Sequence, residues 1–408
     1  MTSNASAVNR GRSALFFLVV LGTLMAFTSL STDIYLPAMP QMAKDLQSNV
    51  ELTITGFLIG FALAQIVWGP ISDHFGRRYP VMIGLVLFII GSAGCALSQT
   101  IGQIVFWRVI QAFGACTGPM LARAMVRDLY QRTQAARMLS TLMVIMAIAP
   151  IIGPLLGGQI IRFSTWHAIF WLLCLIGVVM IIAVWYTPET LAKEKRAPLA
   201  LGNSFRVYFG LLKHVRFMRY VLCVTFFYMA AYAFIAGSPF VYIDYYGIDP
   251  QHYGWLFAIN IVGVMALSLF NRRLVERFPL DTLLRLATLV AAFFGLILAL
   301  CAQSGFGGIF GLVLPIFVLF STNGIIAATS TAAALDEVPV KIVGSASALI
   351  GSLQYGSGII SSLMLATLAS GTPWTMAWIM ALFTVLSALI AWLPADKLAG
   401  KVSTTNAV

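Results

Sequence analysis

The sequence predicts an all-α membrane protein of twelve spans arranged as six plus six, and three observations carry that prediction. Of 408 residues, 60% are hydrophobic and only 10% charged, whereas a soluble domain carries about 25% charged residues. There are too few charges here to coat a water-exposed surface. The apolar residues also gather into twelve runs of the roughly 20 residues that a helix needs to cross a bilayer core of about 30 Å. Finally, 22 of the 25 Lys and Arg fall on one side of those runs, the bias that marks a cytoplasmic face. Five Cys in so long a chain exclude a disulfide-framed secreted protein. A nucleic-acid partner is excluded despite the net charge of +11, because no hydrophilic domain carries that charge.

The spans fall at 14–39, 51–71, 80–98, 102–126, 138–160, 166–187, 219–243, 252–271, 281–302, 308–333, 342–368 and 373–394. The first follows Arg10 and Arg12 but lacks an Ala-x-Ala cleavage site, so it reads as a retained helix rather than a signal peptide. It closes at Pro37, Pro40 and Lys44. The second runs into a turn from Gly69 to Pro80. The third, Val81–Ala96, is apolar without alternation, which excludes a β-barrel strand. The fourth carries Arg108 and ends among four Arg between 123 and 137. The fifth contains Pro150 and Pro154, and the sixth stops at Pro188. The ninth follows Pro279. Glycines mark the eleventh (Gly351, Gly356, Gly358) as they do the fifth (Gly153, Gly157, Gly158).

A basic segment at 188–218 separates an N-terminal bundle (1–187) from a C-terminal one (219–408), with both termini expected in the cytoplasm. Six plus six with weak internal symmetry is the pattern of a secondary transporter whose halves rock about a midplane site. No Walker-type phosphate loop occurs. An enzyme is not expected, because His74, His167, His214 and His252 are scattered at span ends. Cys95, Cys116, Cys174, Cys223 and Cys301 all fall inside spans, where they read as small apolar packers. No cofactor or metal is expected.

Two charges, Asp33 and Arg108, sit well inside the apolar layer, and intramembrane charges are costly and functional by default. Asp33 precedes the outer end of its helix by six residues, and Arg108 lies about seven residues into its own. At 1.5 Å per residue both sit about 10 Å below the outer surface, so a pair or a shared wet cavity is expected. Gly22, Ala26, Ser29 and Asp33 share one small, polar face, which suits a cavity better than lipid. The expected role is a protonation switch: Asp33 changes its proton affinity as its burial and its distance to Arg108 change.

Two further stretches stand out. The turn Gly69-Pro-Ile-Ser-Asp73-His-Phe-Gly76-Arg77-Arg78 offers Gly69 for close helix approach and Gly76 for a tight reversal. Asp73, Arg77, Arg78 and Asp128 would then form a cytoplasmic latch, with Arg77 and Arg78 meeting Asp128. The stretch Pro150-Ile-Ile-Gly153-Pro154-Leu-Leu-Gly157-Gly158 removes backbone hydrogen bonds and side-chain bulk from one helix, which predicts a kinked helix pressed against a partner.

On these residues the chain resembles the major facilitator superfamily, in its drug:proton antiporter branch with twelve spans. Gly69-x-x-x-Asp73-x-x-Gly76-Arg77-Arg78 is similar to the signature after span two. Arg108-Val-Ile-Gln111-Ala-Phe-Gly114-Ala115 is similar to that of span four, with Ala112 in place of the usual Gly. Gly153-Pro154-x-x-Gly157-Gly158 is similar to the antiporter motif, and Pro188-Glu189-Thr190 closes span six as in relatives. More narrowly, Ser31-Thr-Asp33-Ile-Tyr35-Leu-Pro37, Trp166-His167-Ala-Ile-Phe170 and Gly237-Ser-Pro239-Phe-Val-Tyr242 resemble the Bcr/CflA group. The resemblance implies a major facilitator fold, proton-driven export from the bacterial cytoplasm across the inner membrane, and coupling through Asp33 and Arg108.

Midplane depth nominates Tyr35, Gln65, Gln111, Tyr228, Tyr232, Asn260, Asn323, Gln354 and Tyr355 for the cavity wall. Aromatic rings with a few amides suit small amphipathic ligands. The expected partners are therefore a small molecule, protons and the bilayer, and the protein is expected to work as a monomer. An exporter of an endogenous metabolite is the alternative function, and an uptake symporter fits the antiporter motif less well. The second half has no deep charge, so proton handling is assigned to the first half and substrate contact more to the second.

Overall fold

The computed structural model describes residues 2–196, 201–339 and 342–393. Lys341, Lys397 and Lys401 of the basic side, part of the linker and the expected end of span twelve lie outside the described residues. Twelve helical stretches among the described residues are long and apolar enough to cross a membrane, and they coincide with the twelve runs above. The spans are built from helices, which pair main-chain groups within one segment, the arrangement hydrocarbon demands.

The chain folds into two compact units. One comprises Met1–Ala200 with Ile248–Trp255, the other Leu201–Gly247 with Leu256–Val408. The first contains α1 (Thr2–Asp33), α2 (Met39–Leu46), α3 (Glu51–Phe75), α4 (Arg78–Leu97), α5 (Ile101–Ala115), α6 (Thr117–Leu129), α7 (Arg132–Phe163) and α8 (Trp166–Trp185). The second contains α9 (Leu201–Leu212), α10 (Val215–Pro239), most of α11 (Pro250–Leu274), α12 (Leu280–Ser304), α13 (Phe310–Ser321), α14 (Asn323–Asp336), α15 (Val343–Leu368) and α16 (Trp374–Trp392). The linker contains the helix α9, which buries Tyr208 and Leu211 and exposes Phe209.

Three spans are discontinuous, and the sequence shows why. Span one breaks after Asp33 into a 3-10 turn, Leu36–Ala38, rather than continuing to Met39. Pro37 has no N–H to return to the Asp33 carbonyl, and it disfavours helical geometry at Leu36. Span four breaks at Cys116, between α5 and α6, where Pro119 has no N–H for Ala115. Span ten breaks at Thr322, between α13 and α14, and the Thr322 hydroxyl donates to the Leu319 carbonyl at 2.6 Å. Spans four and ten hold corresponding positions in the two halves, where interrupted helices point toward a binding region. By contrast α7 runs as one helix through Pro150 and Pro154.

Bilayer hydrocarbon does not drive apolar helices together, so small residues set their approach. On α8, Trp171, Leu175, Val179 and Ile182 form an exposed apolar stripe, while Phe170, Leu173, Gly177 and Met180 point inward. On α3, a Cβ at Gly56 would lie 2.7 Å from the Val105 carbonyl oxygen of α5, and one at Gly60 would run into the Val109 carbonyl. On α4, a Cβ at Gly91 would lie 2.5 Å from the Gln111 backbone nitrogen. These close approaches seat α5 between α3 and α4, with Arg108 on its inner face.

Candidate functional site

Arg108 is fully buried, and its environment is made almost entirely of first-unit backbone and rings. Its Nη1 donates to the Ser31 carbonyl at 2.9 Å and to Gln111 Oε1 at 2.6 Å, and its Nε donates to the Thr53 carbonyl at 3.4 Å. The guanidinium carbon lies 4.5 Å from the Tyr35 ring centroid and 4.4 Å from that of Phe57, within cation–π range of both rings. Nη2 is buried without a partner. The Ser31 carbonyl belongs to the last turn of α1, whose oxygens lose their helical donors at the break. Arg108 therefore also caps the carboxyl end of α1, where a positive charge is favoured.

Asp33 is the last residue of α1 and is buried. Its Oδ1 accepts a 2.9 Å hydrogen bond from the Thr32 hydroxyl. No ion pair joins it to Arg108 among the described residues; Arg108 acts on it through space. The face that carries it is a packing face rather than an open wall. A Cβ at Gly153 of α7 would lie 3.2 Å from the Asp33 Cβ, one at Gly157 would run into the Ile34 carbonyl, and one at Gly22 would lie 2.7 Å from Ile145. Gly153 and Gly157 thus leave room for the chain break at Asp33. Gly158 and Gly254 do the same for α7 and the start of α11, with the Gly158 Cβ position 2.6 Å from the Pro250 carbonyl oxygen.

Two residues nominated for the cavity wall belong instead to this buried network. Gln111 is fully buried; it accepts from Arg108 and donates to Ser92 Oγ at 2.8 Å, and Ser92 donates on to the Phe88 carbonyl. Tyr35 is fully buried under Arg108, with its hydroxyl 3.0 Å from Thr53 Oγ1. Both amide ends of Gln111 and the Tyr35 hydroxyl are occupied by protein, so neither is free for a ligand here. Gln65 is half-buried on α3.

In the second unit, the nominated rings do come together. Tyr228 and Tyr232 on α10 have centroids 6.3 Å apart, and Tyr355 on α15 lies 6.3 Å from Tyr232. Asn323 sits at the break in span ten, and among the described residues its buried Oδ1 has no partner. Gln354 is half-buried beside Tyr355. Asn260 on α11 is buried, donates to the Leu256 carbonyl at 3.0 Å, and leaves its Oδ1 unpartnered.

At the basic end of the first unit, Arg77 gathers three elements. Its Nε donates to Asp128 Oδ2 at 2.9 Å, and its Nη1 donates to Asp73 Oδ1 at 2.6 Å and to Ser72 Oγ at 2.8 Å. Burial opposes the charge of Arg77, but Asp128 and Asp73 more than compensate and raise its pKa further. Arg78 does not meet Asp128: its Nη2 donates to the Trp185 carbonyl, and its guanidinium lies 5.4 Å from the Trp185 ring centroid. Gly69 faces the flexible end of Met120.

The central carboxylate of this cluster is one that sequence reasoning missed. Glu189 accepts from the backbone N–H groups of Arg77 at 2.8 Å, Arg78 at 3.1 Å, Thr190 at 2.9 Å and Leu191 at 3.0 Å. Burial pushes its carboxyl up, but those four N–H groups together hold it below the ordinary value of 4.5. It anchors the N-terminus of α4, where a negative charge is favoured. Gly76 permits this: its φ is +95°, and a Cβ there would lie 2.6 Å from Glu189 Oε2. The only sequence signal was Glu189 in the segment that closes span six. Glu189→Gln is expected to lower the melting temperature by a few degrees, about 1 kcal/mol after allowance for solvent screening. Because its folded pKa is depressed, that contribution is complete above pH 4.5 and is lost as pH falls through the lower folded value. The gap in melting temperature between parent and variant should therefore close in acid.

The second unit has a different cluster at its basic end. Asp281 pairs with Arg219 at 3.2 Å and Arg285 at 3.0 Å and accepts from Tyr220 at 3.0 Å. Arg219 also donates to the Ala391 carbonyl at 2.6 Å. The glycine-and-aspartate turn of the first half has no copy here, but α10, α12 and α16 are tied by these charges.

Comparison with known proteins gives the chain its place. The family described as Major Facilitator Superfamily matches residues 20–362 and again 221–406. The chain is 37% identical over 358 residues to the MFS-type transporter YdgK of Bacillus subtilis, covering 86% of this chain and 89% of that protein. It is 30% identical over 386 residues to a bicyclomycin resistance protein homolog of Haemophilus influenzae, covering 94% and 96%. Multidrug resistance protein D of Escherichia coli is 28% identical, covering 92% and 95%. Among solved structures, the nucleoside transporter NupG superposes with a TM-score of 0.76 at 14% identity (93% and 98% covered), and a D-xylose-proton symporter with 0.72 at 17% (93% and 97%); these show the fold. With twelve spans, the buried Arg108 network and these relatives, the chain belongs to the Major Facilitator Superfamily, in its Bcr/CflA group, and is a transporter rather than an enzyme.

Proposed function

We propose that this transporter is a proton-coupled antiporter that exports drugs or other small amphipathic molecules from the bacterial cytoplasm by alternating access. The observation that carries the proposal is Asp33: a buried carboxyl at a proline-imposed helix end, beside a buried guanidinium that is not paired to it. Protonation there changes the charge of a desolvated site, so it is strongly coupled to any movement that changes solvation. Relatives named for bicyclomycin and multidrug resistance support a drug as cargo. In this reading the protein works as a monomer in the inner membrane with both termini cytoplasmic. The Arg77 cluster is the latch of the first bundle, and Gly153, Pro154, Gly157 and Gly158 let α7 pack closely against its neighbours.

The test is expression in a host stripped of its own pumps, challenged with bicyclomycin, chloramphenicol and ethidium, followed by proton-flux measurement in inverted vesicles for each compound to which it confers resistance. Resistance without compound-driven proton flux would overturn the coupling. The Tyr228–Tyr232–Tyr355 rings with Asn323 are assigned to the cargo wall. Tyr228→Ala, at a half-buried ring of the group, is expected to cut resistance to aromatic compounds about 3- to 10-fold, the worth of an aromatic contact, with a smaller loss for non-aromatic ones. A panel of inhibitory concentrations checks this.

A further inference from the structure

The Thr32 hydroxyl faces three acceptors and has one proton to donate. Its Oγ1 lies 2.9 Å from Asp33 Oδ1, 3.1 Å from the Thr28 carbonyl and 3.2 Å from the Ser29 carbonyl. A hydroxyl donates to one acceptor at a time, and an ionised carboxylate outcompetes a neutral carbonyl. The choice is therefore set by the charge on Asp33.

We infer that Thr32 is a positioning residue whose hydroxyl rotor converts the protonation state of Asp33 into a change in the last turn of α1, a step that rests on the coupling role proposed above for Asp33. With Asp33 ionised, the Thr32 proton points to Oδ1 and the backbone is released. When a proton arrives on the carboxyl, Thr32 keeps its own proton and turns it back to the Thr28 carbonyl, a back-bond that bends helices. The only covalent change is the O–H bond made or broken at Asp33.

The location gives this rotation consequence. The turn it controls ends at the chain break, its Ser31 carbonyl is held by Arg108 at 2.9 Å, and its far side abuts Gly153 and Gly157 of α7. A bend there is passed to both partners. The charged group acting on Asp33 is Arg108 on α5. On the packed side, α7 presents Ile145, Gly153 and Gly157, none of which ionises, and α6 presents Gly118 against the Leu24 carbonyl. From α8, Phe170 lies 5.7 Å from the Tyr35 ring. Two other titratable groups border this network: Tyr35, whose hydroxyl is tied to Thr53, and the buried thiol of Cys95 on α4, which acts on Tyr35 and is acted on by Arg108.

The experiment compares parent, Thr32→Val, Thr32→Ser and Asp33→Asn in purified full-length protein. It titrates the infrared band of the protonated carboxyl and follows the pH dependence of ethidium transport in proteoliposomes. Asp33→Asn should remove the titrating band and the pH dependence. Thr32→Val, similar in shape but without the donor, should move both midpoints to higher pH by about one to two units, the worth of one hydrogen bond to a charged group. Thr32→Ser should restore the parent values. Unmoved midpoints in Thr32→Val, with Asp33→Asn behaving as stated, overturn the rotor and leave the coupling role standing. An equal shift in Thr32→Ser assigns the effect to packing and also overturns it. A pH profile unchanged in Asp33→Asn removes the coupling role and the rotor together. Should Thr32→Val fail to assemble, Thr32→Ala reads the same band.

Discussion

Replacing Asp33 by Asn is expected to abolish proton-driven export while leaving the protein folded. Asn is nearly isosteric and neutral, so it stands in for the protonated carboxyl, with the Thr32 hydroxyl left to the Thr28 carbonyl 3.1 Å away. It does not clash with α7, because the 3.2 Å approach at Gly153 involves the Cβ, which both residues share. What Asn lacks is a dissociable proton. One charge moved across about 100 mV is worth about 2.3 kcal/mol, enough to hold a neutral compound at roughly a fiftyfold gradient at 1.4 kcal/mol per tenfold. In the variant that gradient should collapse toward unity, with resistance falling to the level of the empty host and exchange down a gradient surviving. Ethidium efflux from energised cells, paired with exchange in proteoliposomes at equal pH, separates the two. Full resistance together with vesicle proton flux in Asp33→Asn would remove the basis of the mechanism.

Arg108→Lys should be nearly as damaging, for a different reason. The substitution keeps the charge but not the geometry. Arg108 reaches the Ser31 carbonyl, the Thr53 carbonyl and Gln111 from one planar group while lying within cation–π range of the Tyr35 and Phe57 rings. A lysine has a single compact nitrogen and does not span those acceptors. Loss of two hydrogen bonds to a charged group is worth about 3–5 kcal/mol. The expected result is a clear drop in melting temperature and transport reduced at least tenfold, because the end of α1 that carries Asp33 loses its cap. Thermal unfolding in detergent and transport in proteoliposomes measure the two effects. Parent-like stability would mean the cap contributes nothing.

Much of the architecture is legible one residue at a time. A span is a local property: about 20 apolar residues must cross hydrocarbon whatever their neighbours do, so the twelve runs and the basic bias stand out directly. Asp33 and Arg108 are equally visible, since a charge inside such a run is conspicuous. Gly76 is legible too, because a glycine closing an apolar run marks a reversal, and its φ is +95°.

The relations between segments are not written locally. Glu189 reads as a polar residue after a proline, yet it binds the backbone of Arg77 from 112 residues away. Gln111 reads as a midplane amide available to cargo, but the approach of Gly91 to its backbone encloses it with Ser92 and Arg108. Arg77 and Arg78 are neighbours of identical chemistry, and helix direction sends one to Asp128 and the other to Trp185. Chain composition suffices for what the bilayer imposes on each helix separately. Which buried polar group meets which depends on how closely helices pack and where prolines end them, and those distances exist only once the helices are assembled.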